Sequence, residues 1–369
     1  MANHLREIAE QGQSIWLDNI SRALLEDGEL ERLITEDGIS GVTSNPTIFE
    51  KAITGSDRYD EALQAAARDG LDARETFFEL GFRDIRDGCD ILRDVFDATE
   101  GQDGYVSFEL PPDLADDTDG SVEQAKVIRA KIDRPNVLIK VPGTEAGVPA
   151  FERLTADGVS VNVTLLFDVG RYEEIAEAYV SGLEQRLDAG EPIDRIASVA
   201  SFFVSRVDGK VDAKLDELGR EDLKGKAAVA NARIAYESFQ RIFSGERWER
   251  LAAAGANVQR PLWASTSTKN PDYPDTLYID DLIGPDTVNT MPDATIDAAR
   301  DHATAARTVD TDVDEAHRII ERVKEAGVDF DDIVGRQLVD EGVKSFADSF
   351  DSLISTITEK AASLAPAAR

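Results

Sequence analysis

Residues Val137 to Phe167 read VLIKVPGTEAGVPAFERLTADGVSVNVTLLF, and their pattern indicates the fold class of the chain. This stretch begins with an apolar run, continues with a segment of helical periodicity over residues 147–158, and ends in a second apolar run. Strands that read as nearly continuous apolar runs and alternate with helices are typical of a parallel sheet covered on both faces. The stretch therefore predicts a strand, a helix and a second strand of an α/β protein.

Similar short runs recur along the chain and predict eight strands. They read SIWLDNI, GISGVTSN, GYVSFEL, NVLIKVP, VSVNVTLLF, IASVASFFV, PLWAST and DTVNTMP. Because helical segments separate most of them, eight such units favour a closed (β/α)8 TIM barrel over an open doubly wound sheet. We expect one barrel domain over residues 1–369, with helical insertions at about 47–101 and 206–258 and a C-terminal helical extension at about 292–369.

The last predicted helix carries one broad apolar face. Six apolar residues recur there at helical spacing, namely Val343, Phe346, Phe350, Leu353, Ile354 and Ile357. An apolar stripe of this kind is buried against the rest of the protein. We therefore expect this helix to pack on the body of the barrel.

The charge of the chain limits its partners. The 73 acidic residues against 40 lysines and arginines give a net charge of -33, which disfavours nucleic acid as a partner. The acidic residues are spread along the chain, which indicates a solvated acidic surface of the kind that a salt-rich cytoplasm favours. No window approaches the roughly 18 apolar residues of a membrane span, so we expect a cytoplasmic protein without membrane contact. Separately, we expect the protein to be either a monomer or a homodimer.

Metal binding has little support in the sequence. The three histidines are scattered without ligand spacing, at His4, His302 and His317. The segment DDTDG resembles a calcium loop, but Ala115 occupies the first acidic position and Lys126 the closing glutamate position. Cys89 is the single cysteine, which excludes an intramolecular disulfide, and its neighbours form no CxxC motif. We therefore predict no metal site.

Lys140 is the most informative residue, because it interrupts a strand that otherwise reads as buried. Desolvating an ammonium group is costly unless it is paired. One interpretation is a structural salt bridge, or a side chain that extends to solvent at the strand end. The other is a nucleophilic amine that forms a Schiff base with a ketone, a use that burial favours.

Polar residues near the ends of other strands favour the second interpretation. They are Asp18, Asn45, Glu109, Asn162 and Thr164. In a closed barrel such side chains converge on one face, together with Lys140. Each alone is weak, since an aspartate or asparagine after a strand is often a helix cap or a turn residue.

Two segments of the sequence resemble those of a known protein family. The segment GVTSNPTIF and the stretch from Val137 to Phe167 resemble the two characteristic segments of transaldolases, and the resemblance extends from SIWLDNIS to DTVNTMP. It implies a (β/α)8 barrel without metal or cofactor that transfers a dihydroxyacetone unit between sugar phosphates of the non-oxidative pentose phosphate pathway. The donor would be sedoheptulose 7-phosphate or fructose 6-phosphate, and the acceptor glyceraldehyde 3-phosphate or erythrose 4-phosphate.

The resemblance also implies the catalytic roles. Lys140 would attack the ketone carbon of the donor. Glu109 and Thr164 would move protons through a bound water as the carbinolamine loses water. Asp18 would take the proton from the hydroxyl beside the bond that breaks, and then return it to the incoming aldehyde. General acid-base catalysis of this kind speeds a reaction by ~10²–10⁴-fold.

Eight further residues are implied as substrate ligands. Hydroxyl groups would be held by Asn45 and Asn162 with support from Thr43, and the phosphate by Ser201, Arg206, Ser265 and Lys269, with Phe203 lining the pocket. Many relatives carry an arginine shortly after the serine of LWAST, where this chain has Lys269. In this respect the chain resembles a longer bacterial subgroup.

Two alternative functions remain open. One is a fructose-6-phosphate aldolase that releases free dihydroxyacetone, although such relatives look shorter and tend to carry Gln and Tyr in place of Glu109 and Phe203. The other is a catalytically inactive acidic barrel that acts as a binding protein. A decayed site is expected to have lost a catalytic residue, yet Lys140, Glu109 and Asp18 are all present.

Overall fold

The computed structural model describes residues 3–364 and contains eight parallel strands that close into a barrel in chain order. The strands are β1 (Gln13–Leu17), β2 (Gly41–Thr43), β3 (Tyr105–Glu109), β4 (Val137–Pro142), β5 (Val161–Leu166), β6 (Ser198–Phe203), β7 (Gln259–Ala264) and β8 (Thr287–Met291). Strand β1 pairs with β8, which closes the ring. The predicted (β/α)8 fold is confirmed, and each of the eight predicted runs overlaps one strand.

Helices surround the barrel. They are α1 (His4–Glu10), α2 (Arg22–Glu26), α3 (Glu29–Asp37), α4 (Pro46–Thr54), α5 (Asp60–Arg68), α6 (Ala73–Ile91), α7 (Arg93–Ala98), α8 (Thr118–Ile132), α9 (Gly147–Ala156), α10 (Val169–Asp188), α11 (Ser205–Glu217), α12 (Ala227–Ile242), α13 (Gly245–Ala253), α14 (Leu277–Asp280), α15 (Asp293–His302), α16 (Val313–Glu325), α17 (Phe330–Asp332) and α18 (Leu338–Ser363). Short 3-10 helices occupy Pro112–Leu114 and Glu221–Leu223, and Ile333–Gln337 forms a π-helical turn.

The strands are apolar because both of their faces are covered. In β4, four apolar residues are almost fully buried, namely Val137, Leu138, Ile139 and Val141. Between them Lys140 is only 7% exposed. Interior strands of a TIM barrel face packed side chains on one side and the ring of helices on the other, so neither face reads as polar.

The strand register sets the level of the site. Glu109 on β3 is the partner of Lys140 on β4, and Lys140 is in turn the partner of Asn162 on β5. Parallel strands end at the same face of the barrel, and in TIM barrels the C-terminal face carries the active site. The register therefore brings predicted catalytic residues of neighbouring strands to one level.

Helix α18 lies against the body of the barrel, as the apolar face of the last predicted helix required. Phe350, Leu353 and Ile357 are buried, and the other three residues of that face are partly buried against the core. Near the end of the helix, Lys360 donates to the carbonyl oxygen of Ile53 at 2.7 Å. Across residues 3–364, no helix is both long enough and apolar enough to cross a membrane.

Candidate active site

The ammonium group of Lys140 has two close partners. Its Nζ lies 2.7 Å from Oε1 of Glu109, and it donates to the carbonyl oxygen of Ser44 at 2.9 Å. Ser44 lies in the turn between β2 and α4 and directly precedes Asn45, the N-cap residue of α4. A buried ammonium needs such partners, because neither charge alone tolerates removal from water. Lys140 is therefore held in a fixed position within the barrel.

Glu109 and Thr164 flank a small cavity beside Lys140. Burial raises the pKa of Glu109, although the charge of Lys140 opposes this shift. The buried atoms Oε2 of Glu109 and Oγ1 of Thr164 have no hydrogen-bond partner within the described part of the chain. All three side chains line a cavity of about 20 Å³. A space of this size holds one water molecule, and three polar groups around it are enough to bind that water.

Asp18 follows β1 and faces the same site. Its Oδ1 accepts a hydrogen bond from Oγ1 of Thr43 at 2.7 Å, and Thr43 shares a second hydrogen bond with Thr290 at 2.6 Å. Burial raises the pKa of Asp18, while the Thr43 hydrogen bond and the charge of Lys140 oppose the shift. A carboxyl group with a raised pKa exchanges protons more readily near neutral pH, which suits a general acid-base role.

Two asparagines predicted to bind substrate have different surroundings. Asn45 caps α4, where its Oδ1 accepts from the amide of Ile48 at 3.0 Å, and Asn45 also lines a second, larger cavity above Lys140. Asn162 is fully enclosed: its Nδ2 donates to Oγ of Ser107, and its Oδ1 accepts from Oγ of Ser201. The structure therefore brings Asn45 to the cavity surface and places Asn162 beneath it. Direct contact of Asn162 with substrate stays a prediction.

Two cations, one in a helix and one in a loop, line the same larger cavity. Arg206 lies in the first turn of α11, and Lys269 lies in the loop after β7. The Arg206 guanidinium carbon is 5.1 Å from the ring centroid of Phe203, and burial lowers the pKa of Arg206. The negative charge of Glu341 opposes this lowering of the Arg206 pKa, but Glu341 forms its ion pair with Lys210 and not with Arg206. Neither Arg206 nor Lys269 makes an ion pair within residues 3–364.

These side chains share one cavity of about 170 Å³ at the C-terminal face of the barrel. Ten of the twelve predicted site residues line it: Asp18, Thr43, Asn45, Lys140, Thr164, Ser201, Phe203, Arg206, Ser265 and Lys269. The other two are Glu109, which contacts Lys140 from the side, and the enclosed Asn162. Ser265 is held by a hydroxyl contact with Ser205 at 3.0 Å, which joins the β7 loop to the start of α11.

Sequence reasoning missed three contributors to the site. Ser44 acts through its backbone carbonyl, which leaves no signal in residue type. Thr290 lines the cavity near the end of β8, so the same strand-end argument that found Asp18 applies to it as well. Phe346 was assigned only to the apolar face of the last helix, yet its ring centroid lies 5.9 Å from Nζ of Lys140.

The arrangement brings the Lys140 amine, the Asp18 carboxyl group and two cations together in one cavity, and a second carboxyl group, that of Glu109, lies beside the amine. An amine next to a proton acceptor can attack a carbonyl carbon and form an imine. Carboxyl groups with raised pKa values can then move protons at successive steps. Two cations that form no ion pair within residues 3–364 suit the recognition of a phosphate group by charge-assisted hydrogen bonds.

Comparison with known proteins gives a consistent result. The chain matches the family model described as "Transaldolase/Fructose-6-phosphate aldolase" over residues 15–357, a range that includes every residue of the cavity. "Transaldolase 2" of Nostoc sp. is 49% identical over 377 residues, covering 99% of both chains. "Transaldolase" of Parafrankia sp. is 49% identical over 369 residues, and that of Trichodesmium erythraeum 46% over 378 residues; each match covers 99% of this chain and 100% of the relative.

Proposed function

The chain belongs to the transaldolase/fructose-6-phosphate aldolase family, and we propose that it acts as a transaldolase. The proposed donor is sedoheptulose 7-phosphate or fructose 6-phosphate, and the acceptor is glyceraldehyde 3-phosphate or erythrose 4-phosphate. The observation that carries the proposal is the buried Lys140 amine, 2.7 Å from a carboxyl group, in a cavity that is also lined by two cations without an ion pair in the described part of the chain. Full-length relatives with the printed name transaldolase support the same assignment.

The first chemical step is formation of the imine. Lys140 transfers a proton to Glu109, whose raised pKa makes it a better proton acceptor, and the free amine attacks the ketone carbon. The carbinolamine then loses its hydroxyl as water, with the proton supplied from Glu109. The hydroxyl of Thr164 lines the same small cavity and is placed to hold the water that relays this proton.

The second step breaks the carbon-carbon bond. Asp18 removes the proton from the hydroxyl of the carbon two bonds away from the imine carbon, that oxygen forms the carbonyl of the leaving aldose, and the electrons of the broken carbon-carbon bond move to the protonated imine. The imine nitrogen accepts them as an enamine, so no free carbanion forms. The shortened aldose phosphate leaves, while the three-carbon unit stays bound to Lys140.

The last step runs in the opposite direction with a new acceptor. The enamine carbon attacks the aldehyde carbon, and the new alkoxide takes the proton held by Asp18. Hydrolysis of the imine consumes one water and returns the amine of Lys140. Arg206 and Lys269 hold the phosphate of donor and acceptor, which orients the reacting carbons next to the lysine.

A two-arm assay tests this function with the purified protein. In the first arm, sedoheptulose 7-phosphate and glyceraldehyde 3-phosphate are supplied together, and formation of erythrose 4-phosphate and fructose 6-phosphate is measured. In the second, fructose 6-phosphate is supplied alone, and free dihydroxyacetone is measured. We expect fast transfer and slow release. Release without transfer would establish the aldolase instead, and absence of both would support an inactive binding protein.

The matched control pair is Lys140→Met and Lys126→Met. Lys126 forms an exposed ion pair with Asp157 far from the cavity lining, so its substitution should leave transfer unchanged. Lys140→Met should abolish transfer, because methionine fills the same volume but has no amine.

A further inference from the structure

Leu165 has an unusual backbone conformation. It lies within β5, is 1% exposed, and has a φ of 60°, in the left-handed region that residues other than glycine rarely adopt. The other non-glycine residues with positive φ in residues 3–364 lie outside the strands and are polar: Glu100, Asp133, Ser265, Asp286 and Asp312. A buried leucine in this conformation stores strain, which persists only where the surrounding packing holds it.

The cause is a β-bulge directly after Thr164. Val163 on β5 is the partner of Ala200 on β6, whereas Leu166 is the partner of Phe202. Three steps along β5 therefore match two steps along β6, which is one extra residue on β5. The bulge gives Leu166 the register of Phe202 and turns Leu165 to the mouth of the barrel, where it lines the small cavity beside Lys140.

The side chain of Leu165 fits against a glycine of α18. A Cβ atom on Gly342 would lie 2.8 Å from Cδ2 of Leu165, closer than side chains pack. Glycine inside a helix is destabilising by roughly 0.5–1 kcal/mol relative to alanine, so this position has a cost that needs a compensating contact. Gly342 supplies that contact by letting α18 approach the bulge directly.

One helical turn later, the same face of α18 presents Phe346 to the active site. Residues four apart lie on one side of a helix, so the position of Gly342 fixes that of Phe346. The Phe346 ring lines both the cavity that holds Glu109 and Thr164 and the larger cavity, and its centroid is 5.9 Å from Nζ of Lys140. The packing of α18 against Leu165 at Gly342 therefore determines the position of the Phe346 ring that covers Lys140.

We propose that Leu165 and Gly342 form a seat that holds Phe346 over Lys140, and that Phe346 thereby determines the partition of the enzyme-bound enamine between transfer and hydrolysis. The proposal rests on the transaldolase function above. Once the first aldose has left, the enamine carbon either bonds to an acceptor aldehyde or takes a proton. In the second case the resulting imine reacts with one water, which releases dihydroxyacetone and regenerates the amine. An aromatic ring over the lysine limits the water that supports this second path.

Phe346→Ala tests the covering ring. Release of dihydroxyacetone from fructose 6-phosphate without acceptor is measured per lysine that borohydride can reduce, and is divided by the transfer rate. We expect this ratio to rise about tenfold, which corresponds to about 1.4 kcal/mol between the two barriers. Because release is counted per lysine that forms a reducible imine, the assay distinguishes a loss of imine formation from a change in the partition of the enamine. A wild-type protein without reducible imine would end the transaldolase proposal, whereas an unchanged ratio in Phe346→Ala would overturn only the inference.

Gly342→Ala tests the seat, with Gly209→Ala as its matched control. A Cβ on Gly209, in α11, meets no atom within 4 Å, so that variant should keep the wild-type ratio. Gly342→Ala should raise the ratio in the same direction as Phe346→Ala. In the double variant Gly342→Ala with Leu165→Ala, the smaller side chain makes room for the methyl group, and the ratio should return toward wild type. If Gly342→Ala and Gly209→Ala gave the same ratio, or if the ratio of the double variant did not return toward wild type, Leu165 and Gly342 would not determine the position of Phe346.

Discussion

Nζ of Lys140 lies 2.7 Å from Oε1 of Glu109, and the two residues are register partners on adjacent strands. This single contact has two consequences. It stabilises a buried ammonium that the barrel interior alone does not tolerate, and it places a proton acceptor next to the amine that we propose as the nucleophile. The structural and the catalytic interpretation of a lysine in an apolar strand are therefore compatible, because the same ion pair supports both.

Glu109→Gln separates these two roles. We expect the rate of imine formation to fall by ~10²–10⁴-fold, because the amide cannot accept the lysine proton. We also expect a lower melting temperature, since removing one partner of a buried ion pair costs about 3–5 kcal/mol. The control is Glu217→Gln, whose carboxylate pairs with Lys214 on the exposed side of α11 and should affect neither measurement. Wild-type rates of imine formation in Glu109→Gln would remove Glu109 from the mechanism.

Arg206→Gln and Lys269→Gln should weaken phosphate recognition selectively. Loss of one hydrogen bond from a charged donor costs about 1.5–3 kcal/mol, or roughly a ten- to hundredfold rise in KM for phosphorylated acceptors. Acceptors without phosphate should show little change. Lys214→Gln on the same helix as Arg206 is the control, because its charge is exposed and paired with Glu217. Equal losses for acceptors with and without phosphate would show that these cations do not bind the phosphate.

Phe203→Tyr should raise acceptor-free release of dihydroxyacetone by about tenfold while transfer falls. Phe203 lines the cavity with Lys140 and Thr164, so a new hydroxyl there can position a water that protonates the enamine. Phe202→Tyr is the control: Phe202 packs against Trp263 on the other face of β6, where a hydroxyl destabilises the core without reaching the site. If release rises equally in both variants, general loosening of the barrel explains the effect.

Asp208 should make the stability of the protein depend on pH. Burial raises the pKa of Asp208 from 3.8 to about 7, in spite of hydrogen bonds donated by the Ala228 amide and the Tyr278 hydroxyl. Between pH 4 and 7 the folded state therefore keeps a proton that the unfolded state releases, so this group lowers the free energy of unfolding as pH rises. Asp208→Asn removes the effect and should stabilise the protein by up to about 4 kcal/mol above pH 7.

Chemical denaturation of wild type and Asp208→Asn at pH 5 and pH 8 measures this effect. The advantage of the variant should be larger at pH 8. Asparagine keeps both contacts, since its oxygen accepts from Ala228 and its amide donates to Tyr278. Asp216→Asn is the control, because the Asp216 carboxylate pairs with Lys224 at the protein surface. A variant that is less stable than wild type at pH 8 would show that Asp208 is held as a carboxylate.

The sequence predicted those parts of the structure that depend on residue type along the chain. The strands were found because parallel strands buried on both faces need apolar runs, and Lys140 was found because it breaks one. The Ser44 carbonyl contact, the bulge at Leu165 and the cover provided by Phe346 depend on how distant segments meet. A φ value or a strand register leaves no mark on residue type, so Leu165 reads in the sequence as one more apolar strand residue.

The position of Asn162 illustrates the same limit within the site. Asn162 and Thr164 are two residues apart on β5, so their side chains are expected on the same face of the strand, but this spacing carries no information on depth. Ser107 and Ser201 use both ends of its side-chain amide, so Asn162 lies under the cavity and braces the strands on either side. Depth in a barrel depends on the register between strands, which only the assembled structure reveals.

Borohydride reduction in the presence of fructose 6-phosphate shows whether Lys140 forms an imine with the substrate. An imine on a lysine is reduced to a stable secondary amine, so the intact protein should gain the mass of one reduced dihydroxyacetone unit, and peptide mapping should place that mass on Lys140. Lys140→Met should gain nothing, and Lys126→Met should be labelled like wild type. Labelling of a different lysine, or transfer activity without any label, would contradict the assignment of Lys140 as the nucleophile.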